Sequence, residues 1–244
     1  MLEGMYAAAS GMAAQQQQLD AIGNDLANGS TTGYKSERIG FRDLLYNQIQ
    51  QAGTNTTVGA GAAANVIGFD QGQGAIQSTG NPLDLAIEGA GYFTVKRPDG
   101  TTALTRNGAF QVDAQGRLTT AEGDLLQPPI TLPSGVSPSE VSIASDGTVT
   151  GPKGVALGKI SLVTVAAPEH LLAAGGSLFT LTQASGAARP LEGSSIHQGA
   201  LEGSNVDMAT EMTQMMSTQR AYQMESSAIQ TEDQMLSIAN QLVS

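Results

Sequence analysis

Apolar residues recur every seven positions at both ends of this chain, whereas between the ends they alternate every second position. The N-terminal repeat is Met5, Met12, Leu19 and Leu26, with Ile22 beside it. The C-terminal repeat is Met208, Met215, Tyr222, Ile229, Leu236 and Val243. Seven-residue spacing is typical of helices that pack on other helices. We therefore predict a helix at each end of the chain, the first of them ending at Asn28-Gly29.

The start of the C-terminal helix carries a capping signal. Ser204-Asn205-Val206-Asp207 has the pattern of a capping box, and Asp207 and Glu211 suit the positive end of a helix dipole. The sequence thus predicts one helix over 204–243, about 60 Å long.

Short alternating runs separated by turn signals fill the middle of the chain. Pro98-Asp99-Gly100, Asn107-Gly108 and Asp146-Gly147 are such signals. They predict an irregular antiparallel sandwich or barrel from near Leu83 to near Thr182. Residues 44–69 hold no charged residue and are rich in Gly, Ala, Thr and Asn, which indicates a loop or extended arm anchored by Leu44-Leu45-Tyr46.

The fold class predicted from these patterns is α+β, with terminal helices forming a coiled-coil-like axial domain and a central all-β domain. The predicted divisions are an N-terminal axial segment, a Gly/Ala-rich arm, a central β domain and a C-terminal axial helix. Their bounds are 1–43, 44–82, 83–197 and 198–244.

Composition excludes several function classes. A formal net charge of −11 argues against binding to nucleic acid or anionic lipid, both of which need clustered Lys and Arg. The chain has no Cys, so it offers neither disulfides nor a thiolate site. We expect no membrane span, because no apolar run approaches about 18 residues, and no cleavable secretory signal.

Catalytic and metal-binding patterns are missing from the sequence. His170 and His197 lack partners at metal-ligand spacing, and Gly72-Gln73-Gly74 and Gly89-Ala90-Gly91 do not complete a dinucleotide fingerprint. Carboxylate pairs such as Asp84 with Glu88 arise by chance in a chain with 22 acids. We therefore predict no catalytic, cofactor or metal site, and a protein that is not an enzyme.

The terminal repeats raise the question of what covers them. Two narrow apolar stripes that pair only with each other gain roughly 15–30 kcal/mol, whereas ordering each residue costs about 1–2 kcal/mol. An intramolecular helix pair is one possibility. We favour the other, in which the ends are loose in the monomer and become helical when copies of the chain cover them. The repeat residues are then the predicted subunit interface.

Several motifs resemble those of the bacterial flagellar basal-body rod protein family, which comprises rod and hook axial proteins. Asn24, Leu26, Ala27, Asn28, Thr31, Gly33, Tyr34 and Lys35 match the family's N-terminal signature. Ser204, Asn205 and Val206, followed by Arg220, are similar to its C-terminal signature. The stretches 82–87, 89–93 and 104–110 resemble its β-domain motifs, so the resemblance covers nearly the whole chain.

The resemblance implies a structural function. It implies a helical homopolymer that transmits motor torque to the hook, with other rod subunits, the hook protein, the flagellar type III export apparatus and an outer bushing ring as partners. It also implies a basal-body location beyond the cytoplasmic membrane. Phe41-Arg42-Asp43-Leu44-Leu45-Tyr46 is similar to distal rod subunits, but the short arm and Leu104, where the family usually has Tyr, depart from them. A proximal rod subunit or another rod/hook-like paralogue is the alternative.

Two other function classes stay open at the level of sequence. One is a secreted wall-binding or wall-remodelling protein, which would need a cleft with converging carboxylates. The other is a helical chaperone or adaptor, whose ends would bind a different protein.

Overall fold

The computed structural model describes residues 2–44, 47–51, 54–59, 61–133, 135–191 and 193–243. They form one helix at each end of the chain and a mostly β region between them, which confirms the coarse α+β prediction. The chain divides into two compact units. The helical unit comprises Met1–Ala27, Glu37–Ile67 and Asp207–Ser244, and the β unit comprises Asn28–Ser36 and Gly68–Val206.

The two helices belong to the helical unit. Helix α1 spans Leu2–Ala27 and ends where Asn28-Gly29 predicted. Helix α2 spans Met208–Val243, so the predicted start at residue 204 is wrong by four residues. The cap is Asp207, whose carboxylate accepts the Ala209 N–H at 3.1 Å and the Thr210 hydroxyl at 2.8 Å. These bonds hold the pKa of Asp207 below its usual range, the Thr210 hydroxyl contributing most.

Helices α1 and α2 pack against each other within one chain. Ala14, Ala21 and Ile22 of α1 are buried at 2%, 7% and 4% exposure. The expectation that both ends are loose in the single chain therefore differs from the structure. Small side chains account for the difference, because alanine and glycine on α1 let the second helix approach more closely than a stripe of large residues allows.

Four strands follow α1 along the chain: β1 (Glu37–Asp43), β2 (Asn47–Gln51), β3 (Thr54–Val58) and β4 (Ala62–Phe69). Strand β1 pairs with β4, and β2 pairs with β3 in an antiparallel hairpin. Residues predicted as a loop or arm are thus largely paired, since threonine and β-branched residues favour strands. The predicted anchors Leu45 and Tyr46 lie outside the described residues.

The β unit holds the remaining strands, most of them two to five residues long. They are β5 (Ile76–Ser78), β6 (Leu85–Glu88), β7 (Tyr92–Lys96), β8 (Thr102–Thr105), β9 (Gln111–Val112), β10 (Leu118–Thr119), β11 (Leu125–Gln127), β12 (Ser142–Ile143), β13 (Thr148–Thr150), β14 (Ala156–Lys159), β15 (Leu162–Thr164), β16 (Leu172–Gly175), β17 (Leu178–Thr180), β18 (Arg189–Pro190), β19 (Ser195–Gln198) and β20 (Ala200–Glu202). Pairing continues past Thr182, where the sequence predicted the β region to end, because β19 and β20 return to pair with β6 and β5.

A nine-stranded sheet organises the β unit in the order β16-β17-β8-β7-β11-β10-β9, with β15 joining β7 to β18. Strands β12, β13 and β14 form a three-stranded sheet of their own. Short 3-10 turns at Pro138–Glu140, Pro152–Gly154 and Pro168–His170 each begin with proline, whose fixed φ suits the first position of a turn.

Two apolar clusters form the core of the β unit. The larger contains Leu85, Phe93 and Phe110, which are at most 1% exposed, and its two phenylalanine rings meet edge to face at 5.3 Å. In the smaller cluster, Phe179 packs against Phe69. Leu104 is also in this cluster and is 1% exposed, so the departure from the family motif is an apolar core position.

Within the described part of the chain, neither helix combines the length and apolarity that crossing a bilayer requires.

Candidate functional site

A buried ion cluster in the β unit joins the N-terminal motif and the 104–110 motif to strand β20. Glu202, at the end of β20, accepts the Lys35 ammonium on Oε1 at 2.6 Å and an Arg106 guanidinium nitrogen on Oε2 at 3.0 Å. The Gly74 N–H donates to Oε1 at 3.0 Å. The Lys35 and Glu202 side chains are 0% exposed and that of Arg106 is 4% exposed. We call Lys35, Arg106 and Glu202 the motif junction.

Each cation of the motif junction has a further partner. Lys35 Nζ donates to the Gly72 carbonyl at 2.7 Å, and Arg106 donates to the Gly89 carbonyl at 2.9 Å. Arg106 also lies 5.4 Å from the centre of the Tyr92 ring. A buried ion pair is tolerated only when its remaining polar groups are satisfied, and most of them are satisfied here.

Burial dominates the ionisation of the groups in and around the junction. It lowers the pKa of the Lys35 ammonium, against the hydrogen bond and charge of Glu202, which act to raise it. Burial also raises the pKa of the Tyr92 hydroxyl to about 12, and the nearby Arg106 charge opposes that rise. Tyr92 is therefore neutral at physiological pH and donates to the side-chain oxygen of Gln71.

Glycine is required where the N-terminal motif approaches the turn that follows β8, at Asn107. Gly33 has a φ of +66°, and a Cβ at that position would lie 2.4 Å from the Asn107 backbone nitrogen. Its N–H donates to the Glu202 carbonyl at 2.8 Å, and the neighbouring Thr32 hydroxyl donates to the Asn107 side-chain oxygen at 3.2 Å. No larger residue fits this approach of two backbones.

Asn205 of the C-terminal motif ties two further segments of the β unit together. Its side-chain oxygen accepts the Ser36 N–H at 2.9 Å, and its amide nitrogen donates to the Asp70 carbonyl at 3.0 Å. The Ser204 hydroxyl accepts the Val206 N–H at 3.2 Å. These residues therefore fix local backbone geometry.

The other motif residues are distributed over both units. In the helical unit, Leu26 is half-buried and the remainder are exposed: Asn24, Ala27 and Arg220. In the β unit, Asn28 and Tyr34 are half-buried, and Thr31 is exposed and donates to the Asn28 side-chain oxygen at 3.2 Å.

The predicted subunit-interface residues differ in exposure. On α1, Ile22 is buried and the others are half-buried: Met5, Met12, Leu19 and Leu26. On α2, Met215 and Ile229 are half-buried, whereas Met208 and Tyr222 are 48% and 36% exposed. The side chains of Leu236 and Val243 lie outside the described part. The assignment of these residues to a subunit interface stays a prediction.

A second apolar face runs along α2. Met208, Met212 and Met216 follow one another at four-residue intervals, which places them on one side of the helix, and each is about half exposed. Met224 is 68% exposed, and Met235 and Ile238 extend the exposed set. At about 100° per residue these six positions spread over about half of the helix circumference, and we call the exposed side of α2 that carries them the methionine face. Exposed apolar side chains grouped in this way mark binding surfaces.

Three family models match the chain in order. "Flagella basal body rod protein" matches residues 5–35, "Flagellar hook protein FlgE/F/G D1 domain" matches residues 86–151, and "Flagellar basal body rod FlgEFG protein C-terminal" matches residues 197–242. The chain is 40% identical over 264 residues to the flagellar basal-body rod protein FlgG of Borreliella burgdorferi, covering 99% of both chains. The chain belongs to the flagellar basal-body rod protein family.

Other rod proteins give the same result. The FlgG proteins of Caulobacter vibrioides and Buchnera aphidicola subsp. Acyrthosiphon pisum are 39% and 36% identical to this chain, which is covered to 99% in each. The resemblance found in the sequence motifs is thereby confirmed. The protein is a structural subunit of the flagellar rod, and its place is the basal body of the flagellum.

One surface group of this rod protein superficially resembles a catalytic triad. Strands β6 and β19 bring Glu88, Ser195 and His197 together, and Glu88 Oε2 lies 2.6 Å from His197 Nε2. Ser195 donates to that same Glu88 oxygen at 2.9 Å, and His197 Nε2 is 3.5 Å from the serine oxygen. Serine and histidine thus share one carboxylate atom, whereas a catalytic relay needs the serine, imidazole and carboxylate in series.

The hydrogen bond to His197 is the largest cause that holds the pKa of Glu88 below its usual range. Among the described residues, no group of three His, Cys, Asp or Glu side chains has the arrangement of a metal site.

Sequence reasoning placed Lys35 in a motif of this rod protein but missed its partners, Arg106 and Glu202. Arg106 lies inside the 104–110 motif and Glu202 just before Ser204, and they are 71 and 167 residues further along the chain than Lys35. No spacing rule connects such positions.

Proposed function

We propose that this rod protein is a subunit of the distal rod that polymerises with copies of itself into a helical tube. The tube transmits motor torque to the hook, and the terminal helices form its inner, coiled-coil-like layer. The same proposal includes export through the flagellar type III apparatus, contacts with other rod subunits and the hook protein, and an outer bushing ring around the rod.

The methionine face is the observation that carries this proposal. Met215 and Ile229 of α2 are half-buried, whereas Met212, Met216 and Met224 stay about half exposed or more. Burying a methionine side chain contributes about 1.5–3 kcal/mol. Methionine also adapts to irregular partners, so a second copy of the chain can cover this face without strict complementarity.

An exposed face of this kind suits open-ended assembly. Contacts that are not related by a two-fold axis generate a helix when the rotation between subunits does not close a ring. A face that runs along most of a 36-residue helix offers contact to copies above and below. The extent of the face therefore agrees with a filament.

Negative-stain microscopy of the purified chain under assembly conditions tests the proposal. We expect tubes from the wild type and from Met224→Leu, which keeps the face apolar. Met224→Asp places a charge on the face and should abolish tubes, while the unfolding midpoint of the β unit stays unchanged.

Three results would contradict the proposal. Tubes formed by Met224→Asp at wild-type frequency would exclude this face as the interface. A wild-type chain that stays monomeric at all concentrations would exclude self-assembly. Cleavage of peptidoglycan by the purified chain would favour the wall-remodelling alternative.

A further inference from the structure

Two glycines of α1 face two glutamates of α2 at the same seven-residue interval. A Cβ built on Gly11 would lie 2.8 Å from Oε1 of Glu225, and a Cβ built on Gly4 would lie 2.7 Å from Oε1 of Glu232. The pairs run in opposite directions along the two helices, so α1 and α2 are antiparallel. Each glycine therefore forms a notch that receives a carboxyl group.

Each of the two carboxyl groups has one buried oxygen that accepts no hydrogen bond in the described structure. These oxygens are Oε2 of Glu225 and Oε2 of Glu232. An ionised carboxylate can only accept hydrogen bonds. A buried acceptor without a donor costs about 1–3 kcal/mol, and more when it is charged.

The two notches differ in the backbone groups that α1 can offer. Helix α1 begins at Leu2, so Gly4 is in the first turn, where backbone N–H groups have no helical partner and the helix dipole favours a negative charge. Gly11 is in the third turn, where the N–H groups are used within the helix. The backbone at Gly11 therefore offers no free N–H group to a carboxylate.

No charged group compensates Glu225. The α1 residues around the notch are uncharged: Ala7, Ala8, Met12, Ala14 and Gln15. Gly61 and Ala62, which contact α1 near Ser10, are uncharged too. On α2 the titratable neighbours are Tyr222 and Glu232, and Arg220 is exposed and five residues away.

We propose that Glu225 occupies its notch as the neutral acid, so that the pairing of α1 with α2 takes up a proton. The neutral acid avoids placing a charge on a buried oxygen that no donor reaches, whereas an ionised carboxylate would carry that cost. Burial raises the pKa of Glu225, in agreement with this geometry.

The proton taken up by Glu225 sets the sign of the pH dependence of the pairing between α1 and α2. Pairing favours the protonated form, so its free energy is most favourable below the ordinary glutamate pKa of about 4.3. It weakens as the pH rises from there through the raised pKa of Glu225, and it stays constant above that value. Each pKa unit between the unpaired and the paired states weakens pairing tenfold.

Another carboxyl group on α2 contributes a pH dependence of the same sign. Burial raises the pKa of Glu211, with the charges of Asp25 and Asp207 adding to the rise. Glu37 lies on β1, where its N–H donates to Asp25 at 3.1 Å, and burial raises the pKa of its carboxyl. The pH dependence that belongs to Glu225 must therefore be obtained as a difference between variants.

Amide hydrogen exchange of α1 and α2 in the dilute full-length chain, measured from pH 5 to pH 8 and corrected for intrinsic rates, tests the proposal. The variants are Glu225→Gln, which keeps the shape and is uncharged at every pH, and Glu232→Gln as the matched control in the other notch. We expect wild-type protection to fall with rising pH, Glu225→Gln to remove part of that fall and increase protection at pH 8, and Glu232→Gln to keep the wild-type slope.

A carbon-13 NMR titration of the Glu225 carboxyl reads its proton directly and does not depend on the behaviour of a variant. We expect a midpoint above the ordinary glutamate value. A midpoint at or below that value would overturn the proposal, as would a Glu225→Gln variant with the full wild-type slope. Because all measurements use the monomer, neither result depends on whether the chain polymerises.

Discussion

The β unit and the helical unit differ in how far their aromatic, methionine and charged side chains are buried. In the β unit, the phenylalanine side chains are buried, and even the charged Lys35 and Glu202 are fully buried and paired. In the helical unit, Tyr6 and Met224 are 74% and 68% exposed. The β unit pairs its buried charges within a single chain, and the helical unit leaves apolar side chains exposed for a partner to cover.

This difference separates folding from assembly in the rod protein. Buried, hydrogen-bonded groups give the β unit its stability without a neighbour, whereas exposed methionines add little to the stability of an isolated chain. Substitutions in the β unit should therefore change the free energy of unfolding, and substitutions on the exposed face should change assembly.

The largest expected effect is the loss of assembly in Met215→Asp. Met215 is half-buried on α2, so a charge there should weaken the packing of the helical unit and abolish tubes seen by electron microscopy. Leu236→Asp, chosen from the sequence repeat, should do the same. The unfolding midpoint of the β unit should stay at the wild-type value, and intact tubes from Met215→Asp would break the comparison.

Glu202→Ala should destabilise the β unit by about 3–5 kcal/mol, because it leaves two buried cations without their counter-charge. Urea unfolding followed by a signal from the β unit measures this change. Glu122→Ala, at an exposed turn, is the control and should leave the midpoint in place. A loss below about 1 kcal/mol for Glu202→Ala would mean that the motif junction does not stabilise the unit.

Gly33→Ala should cost about 2–4 kcal/mol, from a positive φ together with the close approach to Asn107. Gly100→Ala is the matched control, because Gly100 also has a positive φ of +87° but has no atom within 4 Å of an added Cβ. The control should lose only about 1–2 kcal/mol. Equal losses in thermal unfolding would show that the approach of the two backbones contributes nothing.

The smallest expected effect concerns the cap of α2. Asp207→Ala should reduce the helical signal at 222 nm near neutral pH, whereas Asp207→Asn should retain most of it, because asparagine caps equally well. The pKa of Asp207 is lowered by its hydrogen bonds. Its contribution is therefore present above the ordinary aspartate pKa of about 3.9 and is lost as the pH falls through the lowered value. An Asp207→Asn variant that loses signal with falling pH as the wild type does would contradict this.

The sequence predicted local structure well where a repeat or a turn residue determines it. The end of α1 at Asn28-Gly29 and the start of many short strands after Leu83 are confirmed. The start of α2 was wrong, because Ser204 and Asp207 both have the chemistry of a cap and only the three-dimensional context selects between them. The pairing of Glu202 with Lys35, like that of His197 with Glu88, depends on strands distant in sequence.

The methionine face illustrates a different limit. All nine methionines lie in the terminal segments, but a seven-residue repeat identifies only one side of a helix. On α2 that repeat selected Met215 and Ile229, which are half-buried, but also Met208 and Tyr222, which are exposed. Met212 and Met216 follow Met208 at four-residue spacing, and the sequence alone did not reveal that they stay exposed in a single chain.

Oxidation of methionines by dilute peroxide tests most directly whether copies of the chain cover the helical unit. Every methionine lies in the terminal segments, so peptide mass spectrometry reads this unit alone. The account predicts that Met212, Met216 and Met224 oxidise rapidly in the monomer and slowly in assembled tubes. Equal oxidation rates of these three residues in both states would contradict it.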